Sequence, residues 1–162
     1  MITTTIAHTL PIFDAADLTG WQPSLDELWE NLIHKAENPT RYVPSITEGR
    51  VLERHPDGFV REIVLRGRDR FRERVVLEPR RRVVFHQIDD PDLALITNEL
   101  GEDPAGTPTY TLTVTLSPNG IHRSQHEPGF LDALEAIFFD TARGTVNSLR
   151  LMVAARTEPA SL

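Results

Sequence analysis

Hydrophobic and polar residues alternate almost throughout the segment 46–116, and a period of two is typical of β-strands. Turn-forming residues interrupt the alternation at 55–58, 66–68, 78–80, 89–92 and 101–108. The segment is therefore predicted to form six consecutive strands with short connections, an antiparallel meander. In the last strand Tyr110 and Leu112 face one way and Thr111 and Thr113 the other, which predicts one buried face and one solvated face.

A strand and a helix are predicted before this segment. Thr and Ile are enriched at 2–10, where apolar residues share one side of a two-residue period, and Pro11 ends this strand or places it at a sheet edge. Ser24 and Glu27 have the spacing of a capping box, in which the two side chains bind free N–H groups at a helix start. Apolar residues at helical spacing extend the predicted helix to about Glu37.

After the meander we expect a polar loop and then one long helix. Residues 128–156 contain no proline after the first position, and their apolar residues lie within about a third of the helix circumference. These residues are Leu131, Leu134, Ile137, Phe138, Thr141, Leu149 and Met152. Gly144 is interpreted as a site of close approach or of a slight bend. A helix of this length has enough apolar surface to cover a curved sheet.

The pairing of the third and fourth strands follows from their side chains. A three-residue turn at 66–68 makes apolar residues meet apolar residues on one face, and it places both glutamates opposite arginines. The resulting pairs are Phe59 with Val75, Arg61 with Glu73, Ile63 with Phe71, Val60 with Arg74, Glu62 with Arg72, and Val64 with Arg70. A shift of one residue would place Glu62 against Glu73. We therefore expect Arg61 and Glu73 on the concave face, either as a ligand-binding pair or as an internal salt bridge.

His86 is a candidate third member of this polar group. A two-residue turn at 79–80 would place His86 opposite Glu73, whereas a three-residue turn would place Gln87 there. The sequence leaves both open. A histidine beside a carboxylate can act as a general base near neutral pH, so Arg61, Glu73 and His86 are the candidate catalytic residues, and no catalytic role is assigned.

The order of elements is strand, helix, six antiparallel strands and a long helix, and it resembles the helix-grip fold of the START/birch-pollen-allergen superfamily, SRPBCC. Three runs resemble the AtaL-like family, formerly a domain of unknown function, more narrowly: LWENLIHKAENP at 28–39, YVPSI at 42–46 and FVREI at 59–63. The resemblance covers the whole chain, so we expect one α+β domain at 1–162, with a seven-stranded curved antiparallel sheet wrapped around the C-terminal helix.

The resemblance implies a hydrophobic ligand cavity under the C-terminal helix. Within the superfamily, functions range from lipid or hormone carriage to polyketide cyclisation, and the family provides no catalytic residues to transfer. Strand alternation and helix spacing predict the residues that would line such a cavity. They are Trp29, Tyr42, Arg61, Ile63, Phe71, Glu73, Val75, Phe85, Tyr110, Leu112, Val114, Leu134 and Phe138.

Lys35 is the only lysine of the chain and lies in the family's helix motif. We expect its ammonium to bind carbonyl or carboxylate oxygens at the end of the helix. A role as a Schiff-base nucleophile would require a desolvated site.

Composition excludes several classes of function. The 162 residues include no cysteine, so disulfide frameworks, zinc ribbons and iron–sulfur clusters are excluded, and no cofactor or metal is expected. The formal charge of −7 disfavours a nucleic-acid partner, although the segment 61–82 contains nine arginines and only four acidic residues. We expect Arg70, Arg72 and Arg74 to lie on the solvated face. His122 and His126 have a zinc-ligand spacing but are expected in a loop without the other groups of a metal site.

The first hypothesis for function is a carrier or sensor that binds a hydrophobic or aromatic small molecule. The second is a polyketide cyclase or dehydratase that uses polar cavity residues. The third is an interaction domain with a filled cavity. We expect a cytoplasmic protein without membrane insertion, because no apolar run approaches the length of about 20 residues that crosses a bilayer and the first residues lack a signal pattern. The sequence makes no prediction of oligomeric state.

Overall fold

Seven antiparallel strands form one curved sheet in the computed structural model, which describes residues 2–13 and 23–157, with side chains as far as residue 151. Along the sheet the strands have the order β1-β7-β6-β5-β4-β3-β2. The strands are β1 (Thr5–Pro11), β2 (Ile46–His55), β3 (Gly58–Leu65), β4 (Asp69–Glu78), β5 (Arg82–Gln87), β6 (Leu93–Glu102) and β7 (Pro108–Leu116). The helices are α1 (Leu25–Glu37), α2 (Pro118–His126) and α3 (Phe130–Thr157), with a 3-10 turn at Pro39–Arg41.

The predicted meander is confirmed, because β2 to β7 pair consecutively. The first strand begins at Thr5, three residues later than the start of the predicted range, and pairs with β7 as an edge strand that ends at Pro11. Every predicted pair between β3 and β4 is present, including Arg61 with Glu73. The fold is therefore the predicted helix-grip arrangement of a curved sheet and a long C-terminal helix.

The capping box at the start of α1 is also present. Ser24 Oγ accepts a hydrogen bond from the Glu27 N–H at 3.1 Å, and Glu27 Oε1 accepts one from the Ser24 N–H at 3.4 Å. The helix ends at Glu37, as expected from the following Asn38-Pro39. Its buried face packs on the sheet and includes Leu28, Trp29, Asn31, Leu32, Lys35 and Ala36.

The expected polar loop between β7 and α3 contains a helix, α2, so that expectation was wrong. Ser117 caps the helix by accepting a hydrogen bond from the Gly120 N–H at 3.0 Å, and Pro118 occupies the first helical position. Ser-Pro at a cap and first position is a helix-start signal. Arg123 holds α2 in place through Asp92 Oδ2 at 2.6 Å and Glu127 Oε2 at 2.8 Å.

The long helix α3 is confirmed, and its two halves differ in burial. Ala142, near the middle of the helix, and Thr145, Val146 and Leu149 in its second half are buried against α1 and the sheet. The first half is more open to solvent, and Ile137 is 45% exposed. A Cβ at Gly144 would meet no atom within 4 Å, so the close-approach interpretation is wrong. Met152 lies outside the described side chains.

Hydrophobic packing divides into two clusters. The larger one joins α1, the concave face of β3 to β7 and the second half of α3. The smaller one contains Ile6, Leu93, Val114 and Leu116, with partly buried residues of α2 and the start of α3 around it. Phe138 packs against both clusters. Within the described ranges, no helix combines the length and the apolar character needed to cross a bilayer.

Candidate ligand cavity

A cavity of about 140 Å³ lies between the concave face of the sheet and the first half of α3. Most of its lining is apolar: Val43, Ile46, Ile63, Leu65, Phe71, Phe85, Leu93, Ile96, Leu112, Ile137 and Phe138. The polar lining residues are Lys35, Ser45, Arg61, Glu73, Gln87, Asp90, Asn98, Tyr110 and Thr141. Because Ile137 is both a lining residue and 45% exposed, the cavity reaches solvent beside it.

Eight of the thirteen residues predicted to line a cavity do line this one: Arg61, Ile63, Phe71, Glu73, Phe85, Tyr110, Leu112 and Phe138. The other five do not. Trp29, Tyr42 and Val75 belong to the larger hydrophobic cluster, and the Tyr42 hydroxyl is hydrogen-bonded to His34 Nδ1 at 3.0 Å. Val114 and Leu134 belong to the smaller cluster or pack against it. Alternation identifies the inward face of a strand, but not how deep along that strand the cavity extends.

Arg61 and Glu73 form a buried ion pair on this face, with only 5% and 2% of their surfaces exposed. Glu73 Oε1 accepts a hydrogen bond from Arg61 Nε at 2.8 Å and lies 2.7 Å from Arg61 Nη2. Arg61 Nη1 donates to the carbonyl oxygen of Ala36 at 2.9 Å, which ties β3 to the end of α1. The guanidinium also lies 4.5 Å from the ring centre of Phe85. These contacts provide the hydrogen bonds that a buried ion pair requires.

The turn between β4 and β5 has three residues, and Gln87 is therefore the residue opposite Glu73. Its Nε2 donates to Glu73 Oε2 at 2.5 Å, so both carboxylate oxygens of Glu73 accept hydrogen bonds. His86 faces the opposite side, where it pairs with Arg74 and is exposed. This placement removes His86 from the candidate catalytic group. The turn contains Arg80 with φ of 65°, a left-handed conformation that sequence patterns did not indicate.

Lys35 lies in the last turn of α1, but its side chain lines the cavity and its ammonium does not bind the oxygens at the helix end, so the expected role was wrong. The side chain is buried, and Nζ donates to Asn98 Oδ1 at 2.7 Å. Burial, reinforced by the positive charge of Arg61 and opposed by Glu73, lowers the pKa of Lys35 from 10.5 to about 7. The sequence contained one indication that this side chain is buried, because Lys35 continues the helical spacing of Leu28 and Leu32, which are buried.

Asp90, in the β5–β6 loop, is a second ionisable cavity residue that the sequence analysis missed. Its Oδ1 accepts hydrogen bonds from the backbone N–H groups of Asp92 at 2.9 Å and Leu93 at 3.2 Å. Burial raises the pKa of Asp90, with smaller contributions in the same direction from Asp92 and Glu73, while the two backbone donors oppose the shift. In the sequence, Asp90 was assigned only to the turn at 89–92.

Tyr110 contributes a buried phenol to the cavity wall. Its hydroxyl and that of Thr145 have no hydrogen-bond partner of standard geometry among the described residues. Burial raises the pKa of Tyr110, and the nearby Thr145 hydroxyl opposes this shift. The phenol therefore remains neutral at physiological pH.

The other candidate groups lie outside the cavity. His122 and His126 stack with ring centres 4.1 Å apart, and His126 Nδ1 contacts the His122 carbonyl oxygen at 2.8 Å. No cluster of three metal-ligating side chains occurs among the residues that the structure describes. Arg70, Arg72 and Arg74 lie on the convex face as expected, paired with Glu62, Asp89 and Asp57.

Solved structures with the same fold align with nearly the whole chain. The Zhui aromatase/cyclase from Streptomyces sp. R1128 aligns with a TM-score of 0.66 at 15% identity, over 97% of this chain and 97% of its own. A START superfamily protein from Mycobacterium smegmatis aligns with a TM-score of 0.64 at 11% identity, over 96% of this chain and 100% of its own. The di-domain ARO/CYC StfQ from the steffimycin biosynthetic pathway aligns with a TM-score of 0.66 at 16% identity, over 94% of this chain and 52% of its own. Similarity at these identities shows a shared fold.

Family membership rests on a sequence match. A comparison with curated proteins found no match. The model of the family described as acetylaranotin biosynthesis cluster protein L, AtaL, matches residues 6–156. This range contains every element from α1 to α2 and all but one residue each of β1 and α3. The chain therefore belongs to the AtaL family, and its fold is that of the START-like and aromatase/cyclase structures.

Proposed function

We propose that the protein binds a small, largely apolar molecule, aromatic or alicyclic, in the cavity under α3. The observation that carries this proposal is the cavity itself, about 140 Å³ in volume and walled mostly by aliphatic and aromatic side chains. An engineered apolar cavity of about 150 Å³ in another protein binds benzene, so this volume accepts one ring. The opening beside Ile137 allows a longer ligand to extend towards solvent.

Polar groups at the inner end of the cavity would orient the ligand. Lys35, Asn98 and Gln87 present amine and amide groups among apolar walls, an arrangement typical of small-molecule sites. The names of the Zhui and StfQ proteins, both aromatase/cyclases, support a ligand of the aromatic or ring-forming class. An interaction domain with a filled interior is disfavoured, because the interior contains this cavity.

A pair of substitutions on one helix tests the proposal. Phe138 lines the cavity, whereas Leu134 lies one turn earlier, is also partly buried and does not line it. N-phenyl-1-naphthylamine can place its phenyl ring in the cavity and its naphthalene in the opening beside Ile137. We expect Phe138→Ala to weaken its binding about tenfold, corresponding to about 1.4 kcal/mol of lost contact, and Leu134→Ala to leave the affinity unchanged. The measurement is a fluorescence titration of folded protein. Absence of binding to the wild type, or equal losses in both variants, would contradict the proposal.

A ring-forming enzyme is the second candidate, favoured by an amine and two carboxyl groups in the cavity wall. Lys35, Glu73 and Asp90 lie in one apolar site, with the pKa of Lys35 lowered to about 7 and that of Asp90 raised. Such shifted groups are suited to moving protons during enolisation and dehydration. The test is the aldol condensation of heptane-2,6-dione to 3-methylcyclohex-2-enone, followed by enone absorbance. We expect wild-type protein to exceed the buffer rate and Lys35→Met to match it; a wild-type rate equal to that of buffer would exclude this function for the probe.

A further inference from the structure

Lys35 combines three properties rarely found together in one lysine. It is the only lysine in the chain, it is buried, and it lines the cavity. It is part neither of the buried Arg61–Glu73 ion pair nor of the ion pairs on the convex face. Its one hydrogen bond within the described part of the chain is to a neutral amide oxygen, Asn98 Oδ1 at 2.7 Å.

We propose that Lys35 is a nucleophile that captures a carbonyl ligand, an aldehyde or ketone held in the cavity, as a Schiff base. This proposal rests on the proposed function, because it names the chemical class of the molecule that the cavity binds. It replaces the role at the helix end that the sequence suggested.

Contacts around Lys35 leave its amine available for this chemistry. The Glu73 carboxylate, whose charge acts on Lys35, has one oxygen bound by Arg61 and the other by Gln87, and no ion pair joins it to Lys35. The Phe85 ring lies 5.6 Å from Nζ and covers one side of the amine. When the neutral amine donates one N–H to Asn98, it retains a lone pair and a second N–H for a ligand in the cavity.

Electrostatic surroundings favour the neutral amine. The charged groups that face Lys35 are Arg61 on β3 and Glu73 on β4, and Asp90 lines the same cavity from the β5–β6 loop. Arg61 and Glu73 largely cancel each other as a pair, so desolvation dominates and lowers the pKa of Lys35 to about 7. About half of the amine is then neutral at pH 7, compared with less than about 0.1% for an exposed lysine.

The bond-forming steps balance without any further reagent. The nitrogen lone pair attacks the carbonyl carbon, and one amine proton moves to the oxygen to form a carbinolamine. The hydroxyl group then leaves with the second nitrogen proton as water, which produces the C=N bond. Desolvation of the lysine is one of the ways in which proteins activate such an amine.

Reductive trapping with benzaldehyde tests the proposal directly. Wild-type protein is incubated at pH 7 with benzaldehyde and sodium cyanoborohydride, and the modified residue is located by peptide mass mapping. We expect one benzyl group on Lys35, with labelling blocked by excess benzyl alcohol, which occupies the cavity without a carbonyl. Modification confined to the α-amino terminus would overturn the proposal.

A surface lysine provides the matched control. The side chain of Arg68 is 85% exposed, so Arg68→Lys introduces an ordinary solvated amine into the same chain. We expect Lys35 to be labelled at least about tenfold faster than the introduced amine at pH 7, since about 10³-fold more of it is neutral. Equal rates would overturn the proposal, and urea-unfolded protein should lose the difference.

Asn98 acts through Lys35 as a positioning residue, and its variant has a distinct readout. In Asn98→Asp a carboxylate beside the amine stabilises the ammonium, so labelling of Lys35 at pH 7 should fall at least about tenfold and recover at higher pH. An unchanged pH profile would contradict this role. Binding of N-phenyl-1-naphthylamine separates the two proposals: binding without labelling overturns only the Schiff base, whereas absence of both overturns the cavity function as well.

Discussion

The two faces of the β3–β4 hairpin use the same residue types in very different surroundings. On the concave face Arg61 and Glu73 are 5% and 2% exposed, and each has several hydrogen-bond partners. On the convex face the Arg70 side chain is 59% exposed and pairs with Glu62 at 2.6 Å. One strand alternation creates both pairs, and the difference between them is access to water.

Burial, not ionic pairing, decides how much stability is lost when one partner of an arginine–carboxylate pair is removed. A buried pair must satisfy all its hydrogen bonds, and removal of one partner leaves an uncompensated charge. An exposed pair exchanges its partner for water at little cost. Lys35, whose Nζ lies 5.6 Å from the centre of the Phe85 ring that Arg61 also contacts, has an amide and not a carboxylate as its hydrogen-bond partner, and burial lowers its pKa.

The largest effect should follow from Glu73→Ala. Loss of the carboxylate leaves the buried Arg61 guanidinium without its partner, so we expect the free energy of unfolding to fall by about 3–5 kcal/mol. Urea denaturation monitored by circular dichroism measures it. The double variant Arg61→Met/Glu73→Leu, which removes both charges, should recover most of the loss. A loss below about 1 kcal/mol for the single variant would make the two faces energetically equivalent.

A smaller effect should appear in the pH dependence of stability. The pKa of Lys35 is about 7 in the folded protein and near 10.5 in the unfolded chain. Between these values the unfolded state binds more protons, so the stability contributed at this residue rises with pH. Relative to Lys35→Met, the wild type should gain about 2 kcal/mol between pH 7 and 9. A constant difference between the two urea denaturation curves would indicate that Lys35 keeps an ordinary pKa.

The smallest effect is expected on the convex face. Arg70→Ala removes an exposed ion pair with Glu62, so the free energy of unfolding should change by about 0–1 kcal/mol, and the change should shrink in high salt. Glu62 retains a second contact, to Arg50 Nε at 3.3 Å. Thermal denaturation at low and high salt measures both. A loss comparable to that of Glu73→Ala would show that exposure does not separate the two faces.

Local complementarity is the reason that the sheet could be predicted in detail. In the observed alignment of β3 and β4 the apolar residues of the concave face meet each other and both glutamates meet arginines, whereas a shift of one residue would oppose two glutamates, so the register followed from two short segments. The α1 boundaries likewise followed from Ser24, Glu27 and Pro39. The α2 helix was missed because the Ser117-Pro118 start signal was outweighed by the polar character of the residues after it.

Which polar side chains meet in the cavity wall depends on tertiary contacts, and no local sequence pattern contains these. Gln87 replaced His86 beside Glu73 because the preceding turn has three residues, a choice made by backbone geometry around Arg80. Lys35 and Asn98 are 63 positions apart in the chain and meet only because α1 packs on the sheet. Periodicity along the chain determined which side chains face inward. Tertiary packing alone decided how deeply each one is desolvated, and desolvation is what turns the chain's single lysine into a candidate reactive amine.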